Sequence, residues 1–139
     1  MTKMRKPSGT TSVVGIWLDS NIEAHDFIPA SYWLDNCSRV KELLPKSELY
    51  VYDSEDVIHG FIGMNHEYVE GIFVASKMRS QGIGKSLLDY VKDRKRQLCL
   101  HVYQKNLRAL HFYRREGFVI QCEHLDNDTG EKEYMMIWK

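Results

Sequence analysis

The sequence predicts a layered α/β domain in which short strands alternate with helices. Leu98, Leu100 and Val102 alternate with more polar residues, which is the period of a strand. An apolar run that ends at Val74 leads into a loop with two glycines and then a helical pattern. The 139 residues are 43% hydrophobic, which suits one domain, 1–139, with a substantial core.

The first half is predicted to hold a tail or short first strand, two helices, and two strands joined by a turn. In order, these are residues 1–11, 12–22, 29–44, 48–52 and 57–64, with the turn at 53–56. Pro29 is a plausible early helical residue, and Pro45 ends the second helix. Gly60 and Gly63 indicate a bulge or a close backbone approach in the last of these strands.

The second half is predicted to alternate strands with helices and to close with a hairpin. In order, the strands and helices are residues 68–74, 82–94, 98–103, 106–116, 118–125 and 133–138. Gly117 stands where a glycine ends a helix, and the polar residues 126–130 form the hairpin turn.

The loop at residues 79–85, RSQGIGK, is the strongest functional signal because glycines expose backbone N–H groups at a helix N-terminus. Arg79 stands where a P-loop needs its first glycine, so that motif is incomplete. Leu87 stands where the dinucleotide fingerprint needs its third glycine. Arg79, Gly82 and Gly84 do fill the pattern [RQ]-x-x-G-x-[GA].

A second motif lies downstream, where residues 106–118 match N-x-x-A-x-x-[FL]-Y-x-x-x-G-F. With the glycine loop, this chain resembles the GNAT N-acetyltransferases from about Glu48 onward, and residues 25–33 look like a segment of small bacterial protein or amine acetyltransferases. The resemblance implies a mixed, mostly antiparallel sheet with helices on both faces. It also implies that strands 68–74 and 98–103 splay apart into a cofactor cleft.

The resemblance further implies that acetyl-CoA is the co-substrate. The implied contacts are the diphosphate on the loop and the pantetheine arm along the preceding strand: Ile72, Phe73, Val74, Arg79, Ser80, Gln81, Gly82, Ile83, Gly84, Lys85, Asn106 and Tyr113. An ordinary tight turn remains the alternative for the loop, and a surface charge the alternative for Arg79. A helix cap is the alternative role for Asn106.

Tyr113 is the candidate general acid, because a phenol stays protonated at neutral pH and can donate to a departing thiolate. Its alternative is a core tyrosine. His101 takes the position where some relatives carry a glutamate, so it is either the general base or a wall residue. Glu70 is the second candidate base, with an exposed strand carboxylate as its alternative. Without a base, the amine must bind neutral.

Tyr32 and Trp33 are candidates for the acceptor pocket, although core packing is the default for both. The acceptor is expected to be a protein lysine or N-terminal amine. A small-molecule or antibiotic acetyltransferase is the enzymatic alternative. A non-catalytic CoA-binding module and an NTPase built on residues 84–86 are the alternatives from other classes.

Composition narrows the remaining choices. A formal net charge of zero gives no general attraction to nucleic acid. No apolar stretch is long enough to span a membrane and no signal-peptide pattern is seen, so a cytoplasmic monomer or homodimer is expected. Three widely spaced cysteines suggest neither a metal site nor a disulfide. The basic run 92–96 is either a solvated helix end or a contact for the coenzyme's 3′-phosphate.

Overall fold

A computed structural model describes residues 2–5, 11–54 and 57–139. The strands of this part of the chain are β1 (Thr2–Arg5), β2 (Glu48–Ser54), β3 (Val57–Asn65), β4 (Tyr68–Val74), β5 (Leu98–Tyr103), β6 (Val119–Leu125) and β7 (Lys132–Trp138). Its helices are α1 (Thr11–Ala24), α2 (Ala30–Leu43), α3 (Ile83–Lys92) and α4 (Leu107–Arg115). Short 3-10 turns follow α2 at Leu44–Lys46 and β4 at Ser76–Met78.

The strands form one sheet in the order β1-β2-β3-β4-β5-β7-β6. Every neighbouring pair is antiparallel except β4 and β5, which are parallel. The predicted α/β class with a mixed, mostly antiparallel sheet is therefore confirmed. The parallel pair is the one that matters for function, because the chain crosses between its two strands through the glycine loop and α3.

Apolar side chains cover both faces of the sheet. The larger cluster joins α3 and α4 to one face through Leu87, Leu88, Leu110 and Met136 among others. The smaller cluster joins α1 and α2 to the opposite face through Val13, Val40, Leu49, Val51 and Phe61. The alternation of β2 shows the two faces, because Leu49 and Val51 belong to the smaller cluster while Tyr50 packs against the larger one.

Two strand boundaries differ from prediction. Residues 53–54 were expected in a turn, but Asp53 and Ser54 continue β2 because they pair with Ile58 and Val57 of β3. Tertiary pairing has overridden the local turn preference. Glu55 and Asp56 lie outside the described residues, as do 6–10, whereas the short first strand is present as β1. Phe118 was expected to open a strand, but β6 begins one residue later and Phe118 is buried in the core.

The helix ends lie within two residues of the predicted ones. Pro29 is the N-cap of α2 rather than a helical residue, and α3 stops at Lys92 instead of reaching Arg94. Asn106 caps α4, since its side-chain oxygen accepts from the Ala109 N–H at 3.2 Å. Gly117 has φ +96°, as expected for a glycine that ends a helix.

Candidate functional site

The site is a cleft between β4 and β5. The described parts of these strands pair at one position only, Tyr68 with Cys99, and the Cys99 N–H donates to the Glu67 carbonyl at 3.0 Å. Beyond that point the strands diverge, so the edge of β4 that faces β5 is left without a strand partner. The predicted splay is therefore present, with its narrow end at Tyr68 and its wide end at Val74.

The backbone of β4 is irregular at the narrow end of the cleft. Gly63 of β3 pairs with Gly71, whereas the next residue, Met64, pairs with Val69, so Glu70 is an extra residue in the ladder. Such a bulge bends a strand and leaves backbone groups unpaired. The close approach predicted at Gly60 is also found, because a Cβ there would lie 2.9 Å from the Phe73 carbonyl oxygen.

The glycine loop at the wide end has the backbone geometry of an anion site. Ser80 and Gly82 have φ of +64° and +78°, and α3 begins directly afterwards with no side-chain cap. Among the described residues, no backbone bond outside the regular elements uses an N–H of residues 80–85 as donor. Consecutive free N–H groups at a left-handed turn and a helix N-terminus form a concave site for anions.

The two cations beside the loop already have partners. Arg79 forms an ion pair with Glu23 of α1 at 2.9 Å. Lys85 reaches Asp89 at 2.9 Å and Glu116 at 3.5 Å, and these contacts, led by the hydrogen bond to Asp89, raise its pKa. Lys85 therefore lies along α3 toward α4. This geometry gives no support to the NTPase alternative, in which that lysine would serve the phosphates.

The basic run 92–96 lies at the other end of α3 from the loop. The ten residues of α3 span roughly 15 Å, which separates the two places. Lys92 donates to the Glu116 carbonyl at 2.6 Å, and Lys95 pairs with Glu48 at 3.1 Å. The interpretation of a helix end that pairs locally fits these contacts better than a contact with the coenzyme's 3′-phosphate.

Tyr113 lies inside the larger core cluster at the narrow end of the cleft. Its ring packs edge-on against Phe112 and Phe118, with centroids 5.2 and 5.4 Å away, and the residue is 8% exposed. Burial, followed by the nearby Tyr68, raises the pKa of its phenol. Tyr113 therefore stays protonated at neutral pH, as a general acid must, and it also fills the core.

On β5, Leu100 and Val102 point into the larger core cluster, and His101 between them lies on the opposite face of the sheet. His101 is partly buried there. Its Nδ1 is 2.7 Å from the Tyr68 hydroxyl, and its ring is 4.4 Å from that of His124. Burial, and then His124, lower its pKa, while Glu133 acts in the opposite direction. The imidazole is thus favoured in its neutral, proton-accepting form.

Glu70, the second candidate base, is exposed on β4. Its charge acts on Tyr68, where burial and then Glu70 raise the pKa of the phenol. Glu70 therefore lies on the same strand as Tyr68 and raises the pKa of its phenol, whereas His101 forms the direct hydrogen bond with Tyr68.

Tyr32 and Trp33 lie in an aromatic cluster under α2. Trp33 is 7% exposed and stacks on His25 at 5.3 Å, so core packing accounts for most of its surface. Tyr32 is only half-buried and meets Trp33 edge-on at 4.9 Å. Burial and then Asp126 raise the pKa of Tyr32, which places it near the β6–β7 turn. Of the two, Tyr32 remains open to a bound acceptor.

Several residues that complete the site escaped sequence reasoning. Tyr68 and His124 contact His101, Glu133 accepts from His124 at 2.8 Å, and His25 lies 3.2 Å from Asn106. No local pattern marks them. Their positions follow from the register of β4, β5, β6 and β7. The only sequence signal was the alternation of β5, which places His101 on the face opposite Leu100 and Val102.

Among residues 2–5, 11–54 and 57–139, no group of three or more histidine, cysteine, aspartate or glutamate residues is arranged to hold a metal ion. In the same part of the chain, no helix combines the length and apolar character needed to cross a bilayer.

Comparison with known proteins identifies the class that this cleft defines. Residues 45–120 match the model of the acetyltransferase (GNAT) domain. The chain is 33% identical over 141 aligned residues to the peptidyl-lysine N-acetyltransferase YiaC of Escherichia coli, and the match covers 99% of this chain and 96% of the relative. The chain therefore belongs to the GNAT acetyltransferase family and is an acetyltransferase.

Solved structures agree on the fold. The apo-form solution structure of YjaB from Escherichia coli superimposes with a TM-score of 0.87 at 23% identity, covering 99% of this chain and 97% of that one. A putative streptothricin acetyltransferase from Bacillus anthracis, solved in complex with acetyl coenzyme A, superimposes with a TM-score of 0.60 at 24% identity. That match covers 66% of this chain and 61% of the other.

Proposed function

We propose that this protein transfers the acetyl group of acetyl-CoA to a primary amine of a protein, a lysine side chain or an N-terminal amine. One observation carries the proposal. The edge of β4 that lacks a strand partner leads through residues 75–79 to the open N–H groups of residues 80–85, and Ile72 and Val74 of the same strand pack against the core cluster that contains Tyr113. A long ligand with an anionic end, an amide-containing arm and a reactive thioester fits that sequence of features.

Different residues along the cleft bind the cofactor, stabilise the oxyanion and transfer protons. The N–H groups of residues 80–85 hold the diphosphate, and the free edge of Ile72–Val74 pairs with the amide arm. An N–H of the same edge stabilises the oxyanion that forms when the amine nitrogen attacks the thioester carbon. As the carbon–sulfur bond breaks, Tyr113 donates its proton to the sulfur. The nitrogen loses a proton to the base, for which His101 is the first candidate and Glu70 the second.

The acceptor class rests on the relatives. YiaC and the YjaB proteins of Salmonella typhimurium and Escherichia coli are named peptidyl-lysine N-acetyltransferases. The half-buried Tyr32, close to Asp126 and Asp128 of the β6–β7 turn, offers an aromatic surface beside negative charge to a cationic side chain. The aromatic surface and the negative charge suit any cationic amine, so the preference for a protein lysine over a small-molecule amine rests on the relatives.

The test is thiol release from acetyl-CoA with three acceptors: a lysine peptide with a blocked N-terminus, a lysine-free peptide with a free N-terminus, and a small polyamine. We expect release with the first and loss of that release in Tyr113→Phe. Thermal unfolding with acetyl-CoA provides the parallel readout, since a ligand at about 100 times its Kd stabilises by about 2.7 kcal/mol. Stabilisation without turnover on any amine would make the domain a CoA-binding module.

A further inference from the structure

Tyr68 occupies the point where β4 and β5 part. It is the β4 member of their one described pair, and its hydroxyl lies 2.7 Å from Nδ1 of His101. After burial, Tyr68 also raises the pKa of Tyr113. The Tyr68 phenol therefore contacts the candidate base directly and acts on the pKa of the candidate acid, at the end of the cleft where a thioester would sit.

The direction of the hydrogen bond follows from the environment of Tyr68. Burial, Glu70 and Glu133 all raise the pKa of its phenol, which therefore keeps its proton and donates. A neutral His101 that accepts at Nδ1 carries its own proton on Nε2. The basic nitrogen of His101 is thus covered by the Tyr68 hydroxyl.

We propose, on the basis of the acetyl transfer proposed above, that Tyr68 is a catalytic residue that carries the amine proton to His101. As the new carbon–nitrogen bond forms, the nitrogen gives a proton to the Tyr68 oxygen, and the hydroxyl proton of Tyr68 moves to Nδ1 of His101. The phenol is regenerated in the same step, and the products are a neutral amide nitrogen and an imidazolium. The imidazolium then releases its proton to water.

The groups that face His101 favour this direction of transfer. Tyr68 approaches from β4 and His124 from β6, and Glu133 of β7 holds His124 through a 2.8 Å hydrogen bond. Burial and His124 lower the pKa of His101, and Glu133 opposes them. At neutral pH the imidazole is therefore neutral and able to accept, and the proton it gains lies close to the partly exposed His124–Glu133 pair.

The experiment compares wild-type protein, Tyr68→Phe, His101→Gln and the double variant in thiol release with the lysine peptide. Tyr68→Phe keeps the ring and removes only the hydroxyl. Tyr50→Phe is the matched control, since Tyr50 is a strand tyrosine whose hydroxyl bonds to Glu48 outside the cleft. If Tyr68 and His101 act as one relay, each single change lowers kcat at least tenfold, the double variant is no worse than the poorer single one, and Tyr50→Phe is unaffected.

The pH profile separates a relay from a structural role. A lysine acceptor must be neutral, which gives log(kcat/KM) a slope of one below its pKa of about 10.4. A working His101 must also be neutral, so in wild type the slope becomes two below the pKa of His101. Tyr68→Phe should remove this second slope while the stabilisation by acetyl-CoA persists.

Three outcomes would overturn the relay and leave the proposed function standing. Independent, multiplying losses in the two single variants would show separate roles. A slope of two that survives in Tyr68→Phe would show that His101 works without Tyr68, and unchanged turnover in Tyr68→Phe would show no role at all. A wild type that binds acetyl-CoA but acetylates no lysine peptide would instead overturn the proposed acceptor, and the relay with it.

Discussion

Asn106 and His25 are joined across the molecule, with Nδ2 of the asparagine 3.2 Å from Nε2 of the imidazole. The amide orientation is fixed because Oδ1 already accepts from the Ala109 N–H. Nδ2 must therefore donate, so His25 is neutral and carries its proton on Nδ1, which is buried. The bond ties the segment after α1 to the start of α4.

This arrangement predicts a pH-dependent stability. Burial lowers the pKa of His25 to about 4, against the opposing effect of the Asn21 carbonyl. Below about pH 6.5, His25 binds a proton in the unfolded chain but not in the folded protein. The free energy of unfolding therefore falls as the pH drops toward 4. The loss at pH 5 should be roughly 2 kcal/mol, measured by urea unfolding.

Two variants isolate the contribution of His25. His25→Phe should remove this part of the pH dependence, whereas His111→Gln, at an exposed site on α4, should leave it intact. Asn106→Asp keeps a good helix cap but places a carboxylate beside the imidazole, so protonation of His25 should become favourable and the acid sensitivity should shrink. An Asn106→Asp protein as acid-sensitive as wild type would contradict the assigned contact.

Tyr113→Phe should lower kcat about a hundredfold or more, the usual range for loss of a general acid. The ring packing against Phe112 and Phe118 is kept, so the change in folding stability should stay small. Tyr90→Phe on α3 is the control, because it also deletes one phenol, from a tyrosine whose ring packs against Tyr50 and under Arg94. Equal turnover in the two variants would leave Tyr113 with a packing role only.

Helix ends and strand alternation are the features of these sites that the sequence predicts. The helix end at Gly117 and the alternation of β5 depend on neighbours a few residues away, and they were predicted correctly. The cap at Asn106 is equally local, and it was the alternative to a contact with the cofactor. Local patterns fix such features because the interacting groups are close along the chain.

The missed contacts are all distant in sequence. His25 meets Asn106 and Tyr68 meets His101 only after the sheet register is set, and a shift of one residue would turn His101 to the other face. Asp53 and Ser54 are a smaller instance, since a local turn preference yielded to pairing with β3. The glycine loop was predictable as an anion site, whereas the ion pair of its Arg79 with Glu23 on α1 was not.

Gly82→Ala should weaken the binding of acetyl-CoA and destabilise the protein by about 1 kcal/mol. A Cβ at Gly82 would meet nothing within 4 Å, so the cost is conformational and arises from its φ of +78°. Gly15→Ala is the matched control, because Gly15 is also open within 4 Å but lies inside α1. That change should stabilise by about 0.5–1 kcal/mol and leave affinity unchanged. Calorimetric titration and thermal unfolding measure both.

Arg79 links the glycine loop to α1, and its ion pair with Glu23 decides how its role can be tested. The side chains are 25% and 47% exposed, so breaking the pair should alter folding stability by less than about 1 kcal/mol. If Arg79 contacts the diphosphate, Arg79→Gln should weaken acetyl-CoA binding roughly tenfold, as expected for a lost charge-assisted hydrogen bond. Glu23→Gln removes a competing carboxylate and should hold or improve affinity. Titrations at low and high salt check both, and equal affinity in the two variants would make Arg79 a tether to α1 alone.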